Sequence, residues 1–357
     1  MPAKTKRMSN WDLLRSLSMF LVVVCHSVPY IGLIHGHDYA PSITEFVLIC
    51  DSIFFALSGF FAIRPLKSSY VRYLLHKVKT VVLPLLIYTT IVYFFCCSRG
   101  EAVLGMGAFL TWSYQTIGGQ YWFIPALIPF IMIAPLLHSF FSALNREQTR
   151  KLFSVMLALS LLGFIGMCAS ALIPSGTIEN AIGVVEYFIP APKLLGSYFP
   201  YFCLGYLVKQ IPNLYDQEEI KFINGVAWAA WLIAIILSAH GYRRFDPDYV
   251  WFIATVAIFD LFNKLSFNSR NFERIVNWIA KRSYSIYLLQ AEVIFTLFSA
   301  ASSAHLLDAY IPSLIRLPTW ALTTTVAFLI SLIVATLIDN TVVRFVQALF
   351  SKLESSR

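Results

Sequence analysis

Two ionisable residues share one face of the first apolar segment, NWDLLRSLSMFLVVVCHS. Arg15 and His26 are 11 residues apart, which on a helix is three turns plus roughly 20° and about 16 Å along the axis. We expect His26 at mid-span and Arg15 at the cytoplasmic edge. Imidazole exchanges protons near neutral pH, and ionisable groups are costly in lipid, so both residues are predicted to be catalytic. The alternative is a histidine bonded to a neighbouring helix, with Arg15 as an interfacial anchor.

The second apolar segment contains CDSIFFALSGFF, which ends just before Arg64. Asp51 is predicted at its outer side, where a carboxylate is costly unless it is paired. Ser58 and Gly59 form a small patch that allows a ligand or another helix to approach closely. Ordinary small-residue packing is the alternative, and these two residues taken alone favour it.

A basic stretch, RPLKSSYVRYLLHKVK, follows at 64–79 and is predicted to be a cytoplasmic loop. Its cations create a positive field at the membrane surface that suits phosphate groups. The predicted phosphate-binding residues, together with Arg15, are Arg64, Arg72, Lys77 and Lys79. Topological charge or contact with anionic lipid headgroups is the alternative.

Three later motifs are rich in aromatic residues: QYWFIPALIPF, SYFPYFCLGYLV and RSYSIYLLQAE. The first places Tyr121 and Trp122 at the outer end of the fourth span, and the last carries Gln290 and Glu292 within the ninth. These four residues, with Asp51 and Ser58, are predicted to support the site or to line its acceptor side. Aromatic belts at membrane interfaces are common, so each motif alone is a weak signal.

The composition requires a membrane setting for these residues. Of 357 residues, 58% are hydrophobic and 13% are charged, against about 25% charged in soluble domains. The apolar residues come in long runs, which favours an all-α bundle of about ten membrane helices rather than a β-barrel. The expected spans lie near residues 13–34, 43–63, 80–98, 121–142, 152–173, 194–209, 222–240, 249–266, 283–301 and 319–341.

The distribution of basic residues predicts the orientation. With ten spans and the N-terminus inside, 22 Lys and Arg fall on inside segments and 5 on outside segments, as the positive-inside rule requires. We therefore expect a multi-pass protein of a bacterial cytoplasmic membrane with both termini in the cytoplasm. The chain is predicted to be one domain, with an uncleaved first span and no appended soluble domain. Residues 102–118 are expected along the interface and 174–193 as an ordered loop.

Nucleic acid and metal are not predicted as partners. The net charge of +8 reflects cations in short loops rather than a nucleic-acid surface. The six cysteines lie in or beside apolar runs, without metal-ligand spacing, and are interpreted as small buried hydrophobes.

The order of these motifs resembles the acyltransferase-3 family of membrane O-acyltransferases. Arg15 and His26 are similar to its R-x10-H signature, and DSIFFALSGFF resembles its second-span motif. The basic run ending in VVLP and the segments YWFIPALI, YFPYFCLGY and RSYSIYLLQ resemble later family motifs, in the same order. The resemblance covers nearly the whole chain. Gln290 stands where the family commonly has His, and an amide cannot titrate. Lys77 and Lys79 stand where Arg is usual, and lysine offers no bidentate fork.

The resemblance implies transfer of an acyl group, usually acetyl from acetyl-CoA, to a hydroxyl of a surface glycan or lipid-linked saccharide. Arg15 and the loop cations would hold the CoA phosphates, and His26 would act as general base or carry the acyl group transiently. A polysaccharide transporter or exporter is the main alternative, although no internal repeat supports it. A third alternative, a sensor or a structural membrane protein, would not explain the Arg15–His26 pair.

Overall fold

The computed structural model describes residues 8–33, 37–173, 176, 180–181, 184, 197–240, 246–308 and 311–355. Their regular structure is helical, so the expected all-α membrane bundle is confirmed. The helices are α1 (Ser9–Ser27), α2 (Ala40–Val47), α3 (Ile49–Ala62), α4 (Tyr70–Lys77), α5 (Leu83–Ser98), α6 (Met106–Gly118), α7 (Phe123–Ala143), α8 (Arg146–Leu172), α9 (Phe199–Leu207), α10 (Ile211–Leu214), α11 (Gln217–Ser238), α12 (Tyr249–Asn263), α13 (Arg270–Ser303), α14 (Ser313–Ile338) and α15 (Arg344–Ser355).

Each of the ten expected spans coincides with a helix, but only eight of these helices are long and apolar enough to cross a membrane. The two exceptions are α9, with 9 residues, and α12, with 15. At 1.5 Å per residue, α9 is only about 14 Å long, half of a hydrocarbon core of about 30 Å. Pro200 in its first turn and a turn after Leu207 limit its length.

Two predicted loops are in fact partly helical. Residues 70–77 of the basic stretch form α4, and the π-helix Val78–Val82 joins α4 to α5 as one helix over Tyr70–Ser98. Residues 106–118 form α6, in which no residue is buried; its place along the membrane interface stays a prediction. The loop expected at 174–193 falls outside the described residues except at 176, 180–181 and 184.

The helices group into two compact units. The first contains Met1–Pro65 and Ile133–Val276, and the second Leu66–Met132 and Asn277–Arg357. In the first unit, α12 is the central helix, because twelve of its fifteen residues are buried. A helix that is apolar all round is stable only when other helices surround it.

Close backbone contact joins α3 to α9 in the first unit. A Cβ atom at Gly205 would lie 1.9 Å from the carbonyl oxygen of Ala56, and one at Gly59 would lie 1.7 Å from that of Phe202. The expected close approach at the Ser58–Gly59 patch is therefore confirmed, and the approaching helix is α9. Small residues at such crossings let two helices pack backbone to backbone.

A polar network ties α5, α13 and α14 together in the second unit. Asp339 begins the π-helix Asp339–Val343, which follows α14. Its Oδ1 accepts hydrogen bonds of 2.8 Å from Tyr88 Oη and from Ser285 Oγ. Its Oδ2 lies 3.4 Å from Arg282 Nε. π-Helical turns leave carbonyl groups unpaired within the helix, and Tyr284 Oη donates to one of them, Val81 O, at 2.8 Å.

Candidate active site

The first helix carries both predicted catalytic residues, but their depth differs from the expectation. The span runs over Ser9–Tyr30, so His26 lies in the last turn of α1 and not at mid-span. Its side chain is exposed, whereas that of Arg15 is half-buried. Arg15 Cζ lies 5.1 Å from the ring centroid of Phe61, just before the end of α3. The expected separation of about three helical turns between the two residues is retained.

Polar residues at the start of α1 explain this shift. Asn10 Nδ2 donates to Phe262 O of α12 at 3.1 Å, and Ser16 Oγ donates to Asp12 O at 2.8 Å and Val276 O at 3.2 Å. These bonds satisfy polar groups that would otherwise be costly to bury. The helix therefore begins four residues before the apolar run from Leu13.

Three cations lie around the end of α3 that Arg15 contacts, and we call them the cation cluster: Arg15, Arg64 and Lys209. Lys209 Nζ lies 4.2 Å from the ring centroid of Phe60 and donates a hydrogen bond to the Phe60 carbonyl oxygen. The rings of Phe60 and Phe61 are 5.1 Å apart. Lys209 is not among the residues predicted for the site, although it directly follows the aromatic-rich motif SYFPYFCLGYLV.

The surroundings of the cation cluster change the pKa of Lys209, which lies outside the membrane-spanning helices. Removal of water from the ammonium group, and secondarily the charge of Arg64, lower the pKa of Lys209 to about 8. Among the described residues, no carboxylate forms an ion pair with Lys209 or Arg64. Lys209 and Arg64 are therefore two like charges that lie close together at this end of the first unit.

The opposite end of α3 carries acidic groups. Asp51 lies in the first turn of α3 and is half-buried, and its Oδ1 is 3.6 Å from Cys50 Sγ. The carboxylate of Asp246 acts on it electrostatically, and Tyr198 Oη donates to Asp246. The Tyr198 ring stacks on Phe55 with centroids 4.4 Å apart. Carboxylates beside aromatic rings are a common arrangement for binding polar ligands.

His26 belongs to this acidic end. Cys25, its neighbour in α1, lies within electrostatic range of Cys50, the neighbour of Asp51. The last turn of α1 and the first turn of α3 therefore lie together. Ser58 is half-buried further along α3, beside the glycine that contacts α9.

The remaining predicted cations lie in the second unit. Arg72 is exposed, and its backbone N–H is capped by Ser69 Oγ at 3.4 Å. Lys77 Nζ lies 5.3 Å from the ring centroid of Tyr73. Lys79 donates a hydrogen bond to Ser351 of α15, and Gln347 Nε2 of the same helix donates to Lys79 O at 3.0 Å. Lys79 therefore has a structural role in positioning α15.

The predicted supporting residues of the second unit have identifiable partners. Tyr121 is buried and donates to Leu288 O at 2.7 Å, and Gln290 is fully buried. Trp122 is half-buried, with its ring centroid 6.2 Å from that of Phe123. Glu292, whose partner the sequence did not reveal, forms a hydrogen bond with Cys96.

An apolar cavity of about 310 Å³ borders Glu292, between α5, α13 and α14. Glu292 and Thr296 are the polar residues of its wall. Arg99 donates to Thr296 and lies 2.7 Å from Glu101, so it brings one positive charge to this region.

One group of described residues has the spacing of metal ligands. The ligand atoms of Cys96, Glu101 and Glu292 all lie within 4.8 Å of one another. The Arg99 guanidinium is already paired with Glu101, and the Cys96 thiol is bonded to Glu292. Arg99 therefore offsets the charge of one of the two carboxylates, and the Cys96 thiol is the hydrogen-bond partner of the other.

Comparison with known proteins adds one match. A family model described as an acyltransferase domain matches residues 8–339. No curated protein matches the chain, and no solved structure does. The matched residues include both units and every predicted site residue.

Proposed function

The chain belongs to the acyltransferase-3 family, and from this premise we propose that it moves an acyl group, most simply acetyl, from acyl-CoA to a hydroxyl of an envelope glycan. The family match covers nearly the whole chain and makes the protein a membrane acyltransferase. The acyl donor, the acceptor and the catalytic role of His26 are proposed.

The placement of Arg15 and His26 on α1 carries the proposal. One helix holds a guanidinium close to the end of α3 and an imidazole at the acidic end. The two are separated by about 16 Å along the axis. A donor anchored through its phosphates at one residue can present its thioester near the other.

The proposed chemistry at His26 is proton transfer. The imidazole accepts the proton of the acceptor hydroxyl while the hydroxyl oxygen attacks the thioester carbonyl carbon. The C–S bond breaks, and the proton passes to the CoA thiolate, which leaves an ester and free CoA. Transient attachment of the acyl group to His26 would give the same products in two steps.

The donor-binding role extends to the cations predicted from sequence. We infer that Arg15, Arg64, Arg72, Lys77 and Lys79 provide the positive potential that attracts the CoA phosphates. Charge-assisted hydrogen bonds to phosphate oxygens are stronger than neutral ones. The excess of basic residues on alternate segments supports a bacterial cytoplasmic membrane location, with these cations and both termini facing the cytoplasm.

The acceptor-binding role falls to the remaining predicted residues. These residues offer carboxylates, hydroxyls, an amide and aromatic rings, which bind the hydroxyl groups and the apolar ring faces of sugars. They are Asp51, Ser58, Tyr121, Trp122, Gln290 and Glu292. A glycan or a lipid-linked saccharide is therefore the proposed acceptor.

Mass spectrometry of surface glycans tests the function. Glycans from cells with the wild-type gene should carry an acyl ester that is missing from deletion cells and from cells with His26→Ala or Arg15→Ala. Loss of glycan export in these variants, with glycan acylation intact, would instead support the transporter. Immunoblots of membranes must show that each variant accumulates normally.

A further inference from the structure

The position of Lys209 is fixed by the packing of α9. Lys209 is the second residue after Leu207, the last residue of α9, and α9 contacts α3 through Gly59 and Gly205. The ammonium group then bonds to Phe60 O and lies over the Phe60 ring. A lysine on a free loop would not be held in this way, so its placement at the end of α3 is a defined feature of the fold.

Lys209 has two cationic neighbours. Arg64 acts on Lys209 electrostatically, and Arg15 lies over the adjacent Phe61 ring, 5.1 Å from its centroid. Like charges held close together repel each other unless an anion offsets them. Within the described ranges, neither Lys209 nor Arg64 has a carboxylate partner. An anion bound from solution would relieve this repulsion.

We propose that Lys209, with Arg64 and Arg15, forms a phosphate subsite for the nucleotide part of the acyl-CoA donor. This inference rests on the proposed function. Lysine serves as a compact point charge, and the two arginines add directional donors for phosphate oxygens. The membrane-surface position of the cation cluster also suits a phospholipid headgroup, whose phosphate has the same chemistry.

Equilibrium binding of coenzyme A to the purified full chain shows whether the subsite takes the phosphates of the donor or that of a phospholipid headgroup. Coenzyme A and pantetheine, which lacks the nucleotide and its phosphates, are titrated into protein reconstituted in phosphatidylcholine nanodiscs, with and without an anionic phospholipid. Lys209→Met should raise the Kd for coenzyme A about tenfold, the size of one charge-assisted hydrogen bond, and leave the Kd for pantetheine unchanged. Lys209→Arg should restore most of the affinity.

The control is Lys221→Met. Lys221 is exposed in the same unit and pairs with Glu218 at 2.7 Å, so its loss should change neither Kd. Thermal unfolding of each variant identifies any loss of fold. If Lys209→Met is destabilised, Lys209→Arg and Arg64→Met are used instead. Arg64→Met should raise the Kd for coenzyme A and leave the Kd for pantetheine unchanged.

Three outcomes would overturn the proposal. If wild-type protein binds coenzyme A and Lys209→Met binds it equally well, the subsite is wrong and the proposed function stands. If Lys209→Met changes only the dependence on anionic lipid, the subsite holds a headgroup. If wild-type protein does not bind coenzyme A in either nanodisc, the donor assigned in the proposed function fails, and the subsite with it.

Discussion

Gly205 of α9 lies so close to Ala56 of α3 that a methyl group on Gly205 would sit 1.9 Å from the Ala56 carbonyl oxygen. It would also lie 2.5 Å from Phe60 N. Both neighbours are backbone atoms, which cannot rotate away as a side chain can. The same contact positions Lys209, which follows α9, at the end of α3, so the cation cluster depends on this helix crossing.

Gly205→Ala should therefore destabilise the protein severely. Insertion of a methyl group into a filled core costs about 1–3 kcal/mol and more where nothing can shift, so we expect a loss of more than about 3 kcal/mol and little folded protein. Size-exclusion chromatography and thermal unfolding in detergent measure it. The matched control is Gly225→Ala in α11, where no atom lies within 4 Å of the added carbon. That change should raise stability, because alanine favours a helix interior by about 1 kcal/mol over glycine. Equal stability of the two variants would contradict the close contact between α3 and α9.

His26→Gln should remove activity without unfolding the protein. Glutamine retains hydrogen bonding but cannot take up a proton, so kcat for acyl transfer should fall about 10²–10⁴-fold. The side chain is exposed in the last turn of α1, so the unfolding temperature should change little. The control is His240→Gln, another exposed histidine, at the end of α11. Full activity in His26→Gln would exclude the imidazole from the chemistry.

The sequence predicted the faces of single helices well. The shared face of Arg15 and His26 and the small patch at Gly59 both follow from residue spacing within one element. His26 lies nearer the end of its helix than predicted, because hydropathy cannot show that Asn10 and Ser16 would be satisfied by bonds to distant backbone groups. The apolar run therefore begins later in the sequence than the helix that contains it.

Pairing between helices was beyond sequence reasoning. Gly59 and Gly205 are separated by 146 residues, and nothing in either motif indicates that one faces the other. The same holds for Glu292 and its partner Cys96, and for Lys79 and its partner Ser351. Such contacts depend on how the whole bundle packs, and only the three-dimensional structure reveals them.

Coenzyme A binding should weaken as the pH rises through about 8. The pKa of Lys209 is lowered to about 8 by desolvation and by Arg64, so the ammonium is present below that pH and is lost above it. Bound phosphate favours the charged form and shifts the transition upward in the complex. Lys209→Arg should remove this dependence, because arginine stays protonated. Titrations from pH 6.5 to 9.5 measure it, and an identical profile in Lys209→Arg would assign the transition to another group.

Asp339→Asn should destabilise the second unit through Arg282. The two side chains are only 18% and 15% exposed, and Asp339 also accepts bonds from Tyr88 and Ser285. Loss of one member of a buried ion pair leaves the other charge uncompensated, which costs about 3–5 kcal/mol when burial is complete. Because some solvent reaches this pair, we expect about 2–3 kcal/mol, measured by thermal or denaturant unfolding.

A double-mutant cycle shows whether the charge of Arg282 is the cause. Arg282→Met combined with Asp339→Asn removes both charges, so the double variant should be less destabilised than the sum of the two single changes. The control is Glu218→Gln, which breaks the pair with Lys221, whose side chains are 83% and 69% exposed. Exposed pairs contribute less than about 1 kcal/mol. Additive losses in the cycle would mean that Asp339 acts through its hydrogen bonds to Tyr88 and Ser285, and not through the charge of Arg282.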